Sequence, residues 1–247
     1  MIAEPAVQLR LLDLQALDAR LDLIAHKRRS LPQLATIAEL EGRVAALRDR
    51  IVAGETEVDD LERGQAKAES DVELVRSRAA KDQELLASGR VGSAKDLENL
   101  QHEVASLARR QGDLEEVELE IMERLEDART ALGTLTTERD SLRALIAETA
   151  AERDAAWADA DRDAAWVGGE RAKIAPEIPS DLMALYDKLR ADHNGVGAAP
   201  LHQRRCEGCR MELTPTDIGR IRTAAPETVL RCEECRRILI RTPESGL

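Results

Sequence analysis

The chain has no phenylalanine, one tyrosine (Tyr186) and two tryptophans (Trp157 and Trp166) among its 247 residues. Large rings supply much of the buried area of a broad globular core, so a thick core is not expected here. No uncharged stretch reaches 18 residues, which excludes a membrane-spanning helix. The first thirty residues carry acidic side chains within their apolar stretch and do not read as an export signal. Lysine is scarce, six against 30 arginines, and the net charge of -12 makes the chain as a whole a poor non-specific ligand for nucleic acid. Signatures of catalysis are missing too: there is no Gly-x-Ser-x-Gly, no His-Glu-x-x-His and no dinucleotide fingerprint, so no enzyme class is indicated.

What is present is charge and alanine-leucine content suited to long helices, with 34% of residues charged. From Ile37 to Ala79, steps of alternately three and four residues meet an apolar side chain at eleven of thirteen positions. After a short Gly-rich stretch the same stepping from Leu97 to Ile146 gives twelve of fifteen. A sustained heptad on both sides of one break is the pattern of a coiled coil. Pairing the segments antiparallel about Val91 and Gly92 sets Leu61 against Ile121, Ile37 against Ile146, Gly54 against Ala128 and Gln65 against Glu118. A parallel homodimer of each helix would satisfy the same heptads. At 1.5 Å per residue, each arm of the hairpin would be about 80 Å long.

Pro32 lacks an amide donor and should break the first helix. It would leave a leading segment whose seam reads Leu14, Leu17, Leu21 and Ile24. Gly168 and Gly169 should end the returning helix. Trp157 and Trp166 lie on opposite faces of that helix, so one of them is placed to meet the leading segment. The expected organisation is therefore mainly α: a long antiparallel coiled-coil hairpin over 1–170, with its kink near 32 and its tip near 89–93, then a connecting segment over 171–199 with a short helix at 179–192, and a small ribbon with short β-strands over 200–247. A monomer is favoured. Tyr186, on the short helix, is a candidate anchor between ribbon and hairpin, or simply a packing residue of that helix.

The tip sequence holds Gly89, Gly92, Ser93 and Lys95 in close succession. A phosphate-binding loop needs Gly-x-x-x-x-Gly-Lys-Ser/Thr after a strand, and neither the order nor the context matches. Gly89 suits a helix stop, and Ser93 with Asp96 three residues on suits a capping box that starts the next helix. Arg90, Val91, Lys95 and Asp96 are the residues a protein partner would meet there.

The chemistry-bearing signal is in the last fifty residues. Cys206, Cys209, Cys232 and Cys235 form two Cys-x-x-Cys pairs separated by twenty-two residues. Such a pair turns two sulfurs toward one ion, and two pairs complete a tetrahedral thiolate shell. In a chain without an export signal this argues for metal in a reducing cytoplasm rather than disulfides. One structural zinc is the expected cofactor; iron in a rubredoxin-like site uses the same ligands. Four thiolates leave no position open for a reacting water. The spacer accommodates a capping box at Thr214, Pro215, Thr216 and Asp217 and a short helix with Ile218 and Ile221, and strands are expected over 228–232 and 238–240. With the shell already filled, His202 is not needed as a ligand. Residues 196–247 hold nine arginines against seven acidic residues. Arg204, Arg205, Arg210, Arg220, Arg222, Arg231, Arg236, Arg237 and Arg241 are thus candidate phosphate contacts, although no aromatic side chain is there to stack on a base.

The stretches "KDLENLQHEV", "IPSDLMALYDKLR", "GVGAAPL", "CEGCRMELTPTDIGRI" and "RCEECRRILI" together resemble a bacterial family of coiled-coil hairpin proteins ending in a four-cysteine zinc ribbon, long classed as of unknown function. The resemblance implies a chaperone or adaptor. Some family members look like partners of an alternative sigma factor or of secretion and flagellar export components, and one is reported to bind messenger RNA. The family's usual glycine after the last cysteine is Arg236 here, which implies a less typical second turn. The functional expectation is a non-enzymatic adaptor that presents tip and ribbon to protein partners; the alternative is RNA or DNA binding by the arginine-rich ribbon.

Overall fold

The computed structural model describes all 247 residues. Three long helices come first: α1 (Pro5–Arg29), α2 (Pro32–Ala87) and α3 (Ala94–Ile174). A 3-10 turn (Ala175–Glu177) leads into α4 (Ser180–Asp192), followed by β1 (Ala198–His202), β2 (Arg205–Cys206), α5 (Pro215–Thr223), β3 (Leu230–Arg231) and β4 (Ile238–Arg241). The chain divides into two compact bodies, Ala35–Thr149 and Met1–Leu34 with Ala150–Leu247.

The first body is an antiparallel hairpin of α2 and α3. Its seam buries Leu40, Leu47, Ile51 and Leu142 in one cluster and Leu61, Leu125 and Ala128 in another. Ion pairs cross it at Arg76–Glu115, Arg78–Glu103 and Arg129–Glu62. These are exposed and each contributes at most about 1 kcal/mol, so they select orientation more than they stabilise. The register differs from the sequence expectation by one helical turn. A Cβ on Gly54 would meet Leu132 Cδ1 at 3.4 Å rather than Ala128, and the Gln65 amide donates to Glu69 on its own helix rather than to Glu118. The reason is that a slip of one turn exchanges two apolar seam positions, so heptads alone do not fix it. At the turn, Gly89 has φ +65. Ser93 accepts from the Asp96 amide at 3.2 Å and its hydroxyl donates to the Asp96 carboxylate at 2.7 Å, the expected cap.

The second body is built around a four-stranded sheet of order β2-β1-β4-β3, in which β1 and β4 are parallel and the other pairs antiparallel. Successive side chains of a strand point to opposite faces, and here each face has its own core. Ala198, Ile238 and Ile240 join Leu11 and Leu14 of α1 and Leu182, Tyr186 and Leu189 of α4. Ala199, Leu201 and Leu239 join Leu213, Ile218, Ile221 and two of the cysteines. The chain start is tied in as well, since Ile2 bridges Thr228 and the Ala3 amide donates to Glu227 O at 2.8 Å.

The buried face of α1 is Gln8, Leu11, Leu14 and Asp18, not the Leu17–Leu21–Ile24 seam, whose members are half-buried. Gln15 accepts from the Gly197 amide at 2.7 Å and donates to Gly195 O at 2.8 Å, which satisfies the backbone entering β1. Gly197 has no room for a side chain: a Cβ would lie 2.6 Å from Tyr186 O and 2.8 Å from its ring. Helix α3 does not stop at Gly168 and Gly169 but runs to Ile174. No group lies near either glycine, while flanking Val167 is fully buried and Arg171 is anchored on Asp18, so packing on both sides carries the helix through them. Both tryptophans are covered by arginines of α1, Arg28 over Trp157 and Arg20 over Trp166.

Candidate metal centre

Each Cys-x-x-Cys pair lies on a tight turn, and the two turns repeat one hydrogen-bond scheme. The Arg210 amide donates to Cys206 O at 2.7 Å and the Arg236 amide to Cys232 O at 2.8 Å. The Cys206 amide donates to Met211 O and the Cys232 amide to Arg237 O, both at 3.0 Å. Arg210 and Arg236 both take the left-handed conformation, with φ 62 and 64. The second turn therefore keeps the geometry of the first, contrary to what Arg236 in place of glycine suggested. The strain of a non-glycine residue there is about 1 kcal/mol, and the paired hydrogen bonds hold it.

These turns bring the four sulfurs within 4.8 Å of one another, with Cys206 to Cys235 and Cys209 to Cys232 each at 3.9 Å. A tetrahedron with Zn–S bonds of about 2.3 Å has edges of about 3.8 Å, so the donor set fits zinc. Cys206 and Cys232 are buried while Cys209 and Cys235 are half-buried. Burial pushes the Cys206 and Cys232 thiols up, opposed by amides of Gly208 and Cys209 and of Glu234 and Cys235 aimed at the sulfurs. At Cys235 burial acts the same way but is outweighed by hydrogen bonds from Arg237 and the neighbouring thiols, which hold it down. A bound divalent ion would supply the positive charge that favours thiolate ligands here, and Cys206, Cys209, Cys232 and Cys235 would hold it in a structural site with no position left for water. His202 is outside the cluster; its Nδ1 is 3.9 Å from Glu207.

Both the hairpin and the four-sulfur module have counterparts among known proteins. Residues 14–194 match the CT398-like coiled coil hairpin domain, and residues 205–239 match the C4-type zinc ribbon domain. The chain belongs to the CT398-like coiled-coil hairpin family. Its relatives include the uncharacterized protein Rv2229c of Mycobacterium tuberculosis, 37% identical over 98% of both chains, and the uncharacterized protein ML1638 of Mycobacterium leprae, 27% identical over 88% of this chain and 93% of that one. Among solved structures, one from Mycobacterium smegmatis aligns with TM-score 0.85 at 36% identity over 98% of this chain and 100% of that one. CT398 from Chlamydia trachomatis aligns at TM-score 0.66 and 17% identity, over 96% of this chain and 98% of that one, and shows the same fold. The matching families are coiled-coil and zinc-ribbon families, not enzyme families. The ribbon is a one-zinc structural module, and no helix is long and apolar enough to cross a membrane.

The arginines of the ribbon divide into two groups. Arg241 donates to the carbonyls of Ala224, Ala225 and Pro226 and so closes the C-terminal end of α5, while Arg237 donates to Val196 O and His193 O. Arg231 donates to Arg236 O and Arg204 to Gly246 O. Arg220 and Arg236 share Glu233, and Arg220 also pairs with Asp217. Arg205, Arg210 and Arg222 are exposed and without an ion pair. At the hairpin tip Arg90 and Lys95 are exposed, Val91 is half-buried, and Asp96 is engaged in the cap with Ser93.

The sequence reading missed a buried polar cluster. Asp18, 2% exposed, accepts from Arg171 Nε at 2.6 Å and from the Tyr186 hydroxyl at 2.7 Å, and Arg190 Nε lies 3.7 Å away. Burial and the adjoining Asp18 carboxylate push the Tyr186 phenol far up, so it stays neutral. Tyr186 is thus a packing residue of α4 that is also hydrogen-bonded to α1. The available signal was an acidic residue on the same helical stripe as Leu11 and Leu14.

Proposed function

We propose that this chain is a non-enzymatic adaptor whose hairpin tip and zinc ribbon each dock a protein partner. The observation that carries the reading is the convergence of four cysteine sulfurs within 4.8 Å of one another, a donor set that leaves a bound ion no open position, beside a two-helix coil. Neither body offers a convergent set of acid, base and nucleophile around a cleft, while both offer stiff exposed surface. Arg90 and Lys95 stand free at the turn, and a turn of this length needs only Gly89 and the Ser93–Asp96 cap to form. Cytoplasmic residence, in keeping with thiolate ligands, is part of the proposal. The test is affinity capture from the native cells with the intact chain, with Arg90→Ala combined with Val91→Ala, and with Cys206→Ser. Partners lost selectively in one variant support the reading; a capture profile identical in all three removes it.

Exposed and unpaired Arg205, Arg210 and Arg222 favour a second reading, nucleic-acid binding by the ribbon. Binding of labelled RNA or DNA to the full chain should then weaken steeply with salt. A slope near zero counts against it.

A further inference from the structure

Beyond the tip and the ribbon, one surface of the second body is unfinished. Helices α1 and α3 run antiparallel, joined by Arg171–Asp18 at one level and by Arg28–Asp161 at 2.8 Å and Trp157 Nε1 to Arg28 O at 3.2 Å at the other. Helix α4 lies on this pair as a third helix, parallel to α1, through Tyr186 to Asp18 and Arg190 to Asp22. It stops at Asp192 because the chain turns away at Asn194 (φ 53) and Gly195 (φ 89). The α1–α3 pair continues for two more turns of α1 without a third helix.

Past Asp22, that side of the pair opens into a groove of about 900 Å³. Its floor is Leu21, Ile24, Ala25, Leu34, Trp157 and Ala164, all half-buried. Asp22, which receives Arg190, also lines the groove, so the groove is continuous with the α4 interface. Of its charged lining residues, Asp22 is taken by Arg190, and Arg28 and Asp161 pair with one another. That leaves Arg29, exposed in the last turn of α1, as the unpaired charge.

We infer that this groove docks an amphipathic helix of a protein partner, laid in line with α4, with apolar residues on Leu21, Ile24, Ala25 and Leu34 and an acidic residue facing Arg29. A helix is the occupant because the same two-helix surface already accepts one at α4, where the contact alternates apolar and paired polar groups. Burial of anchors spaced along one helix face is the ordinary mode of such docking. The acidic requirement comes from the single unmatched cation. The inference rests on the adaptor reading and names one of its docking surfaces.

The test places the photo-crosslinker p-benzoylphenylalanine at Ala25 and, in a separate full-length variant, at Arg90, in native cells, and maps the crosslinked peptides by mass spectrometry. The expected adduct at Ala25 is a segment with helical apolar spacing and at least one acidic residue. Arg29→Glu should lower its yield about tenfold, an exposed attraction turned into a repulsion. An adduct at Arg90 with none at Ala25 overturns the groove proposal and leaves the adaptor reading standing, and no adduct at either position overturns both. Adducts at Ala25 to a second copy of this chain, to RNA, or to segments without that spacing also overturn the proposal.

Discussion

Replacing Asp18 by alanine tests whether the polar cluster holds α1 and α4 together. The carboxylate accepts two short hydrogen bonds, and its loss affects the donors unequally. Tyr186 is fully buried, so its hydroxyl would be left without a partner at a cost of about 1–3 kcal/mol. Arg171 is 31% exposed at the side chain and turns to water and to Asp187, so it loses only about 1 kcal/mol. Arg190 keeps Asp22. The total is about 3 kcal/mol for Asp18→Ala, against about 1.5 kcal/mol for Tyr186→Phe, which leaves Asp18 on Arg171. Urea unfolding monitored by tryptophan fluorescence isolates this body, because Trp157 and Trp166 both lie in it. With a slope of about 2 kcal/mol per molar urea the midpoint should fall by about 1.5 M. If Asp18→Ala moves the midpoint no further than Tyr186→Phe, the cluster is not stabilising as argued.

Four further outcomes rest on the same geometry. Tyr186 is the only tyrosine, and burial, with the Asp18 carboxylate second, raises its folded-state pKa. Its contribution is therefore fully present below about pH 10, the unfolded value, and is lost as pH rises beyond it, so phenolate absorbance should appear only together with alkaline unfolding and not before. Zinc removal, by chelation or Cys206→Ser, should strip amide-exchange protection from 198–241 and leave Ala35–Thr149 helical; equal protection in the metal-free chain would refute the structural role. Arg236→Gly relieves a left-handed backbone and should raise stability by about 1 kcal/mol in thermal unfolding, net of a weak exposed pair with Glu233. Gly197→Ala sets a Cβ against the Tyr186 backbone, which has no rotamer to yield, and should cost about 3 kcal/mol or abolish folding in the same denaturation assay.

Much of the architecture was readable because it rests on local, periodic or covalently spaced signals. The heptads announced the hairpin, the Ser93–Asp96 and Thr214–Asp217 boxes formed as their spacing implies, and the Cys-x-x-Cys pairs declared the metal shell. What escaped lies between segments far apart in sequence. Seam positions one turn apart are equally apolar, so the register moved from Ala128 to Leu132 without offending the pattern. A glycine pair stops a helix in isolation, but with Val167 buried and Arg171 anchored beyond it the helix continued. Asp18 carried no local signal, because its partners Arg171 and Tyr186 lie 153 and 168 residues away in the chain. The arginines of the ribbon looked like one basic patch, yet Arg237 and Arg241 serve backbone carbonyls and Arg220 and Arg236 are matched by Glu233.

Strands β1 and β4 form a common wall between the helical core and the thiolate core. Because side chains alternate across that wall, a slip of β4 by one residue would turn Ile238 and Ile240 toward the sulfurs and Leu239 toward α1 and α4, spoiling both cores at once. Cys235 sits three residues before β4 begins, within the tight turn that the ion closes. A metal bound there would therefore pin the register of a strand whose other face it does not touch, and would couple the packing of α1 and α4 to coordination on the far side of the sheet.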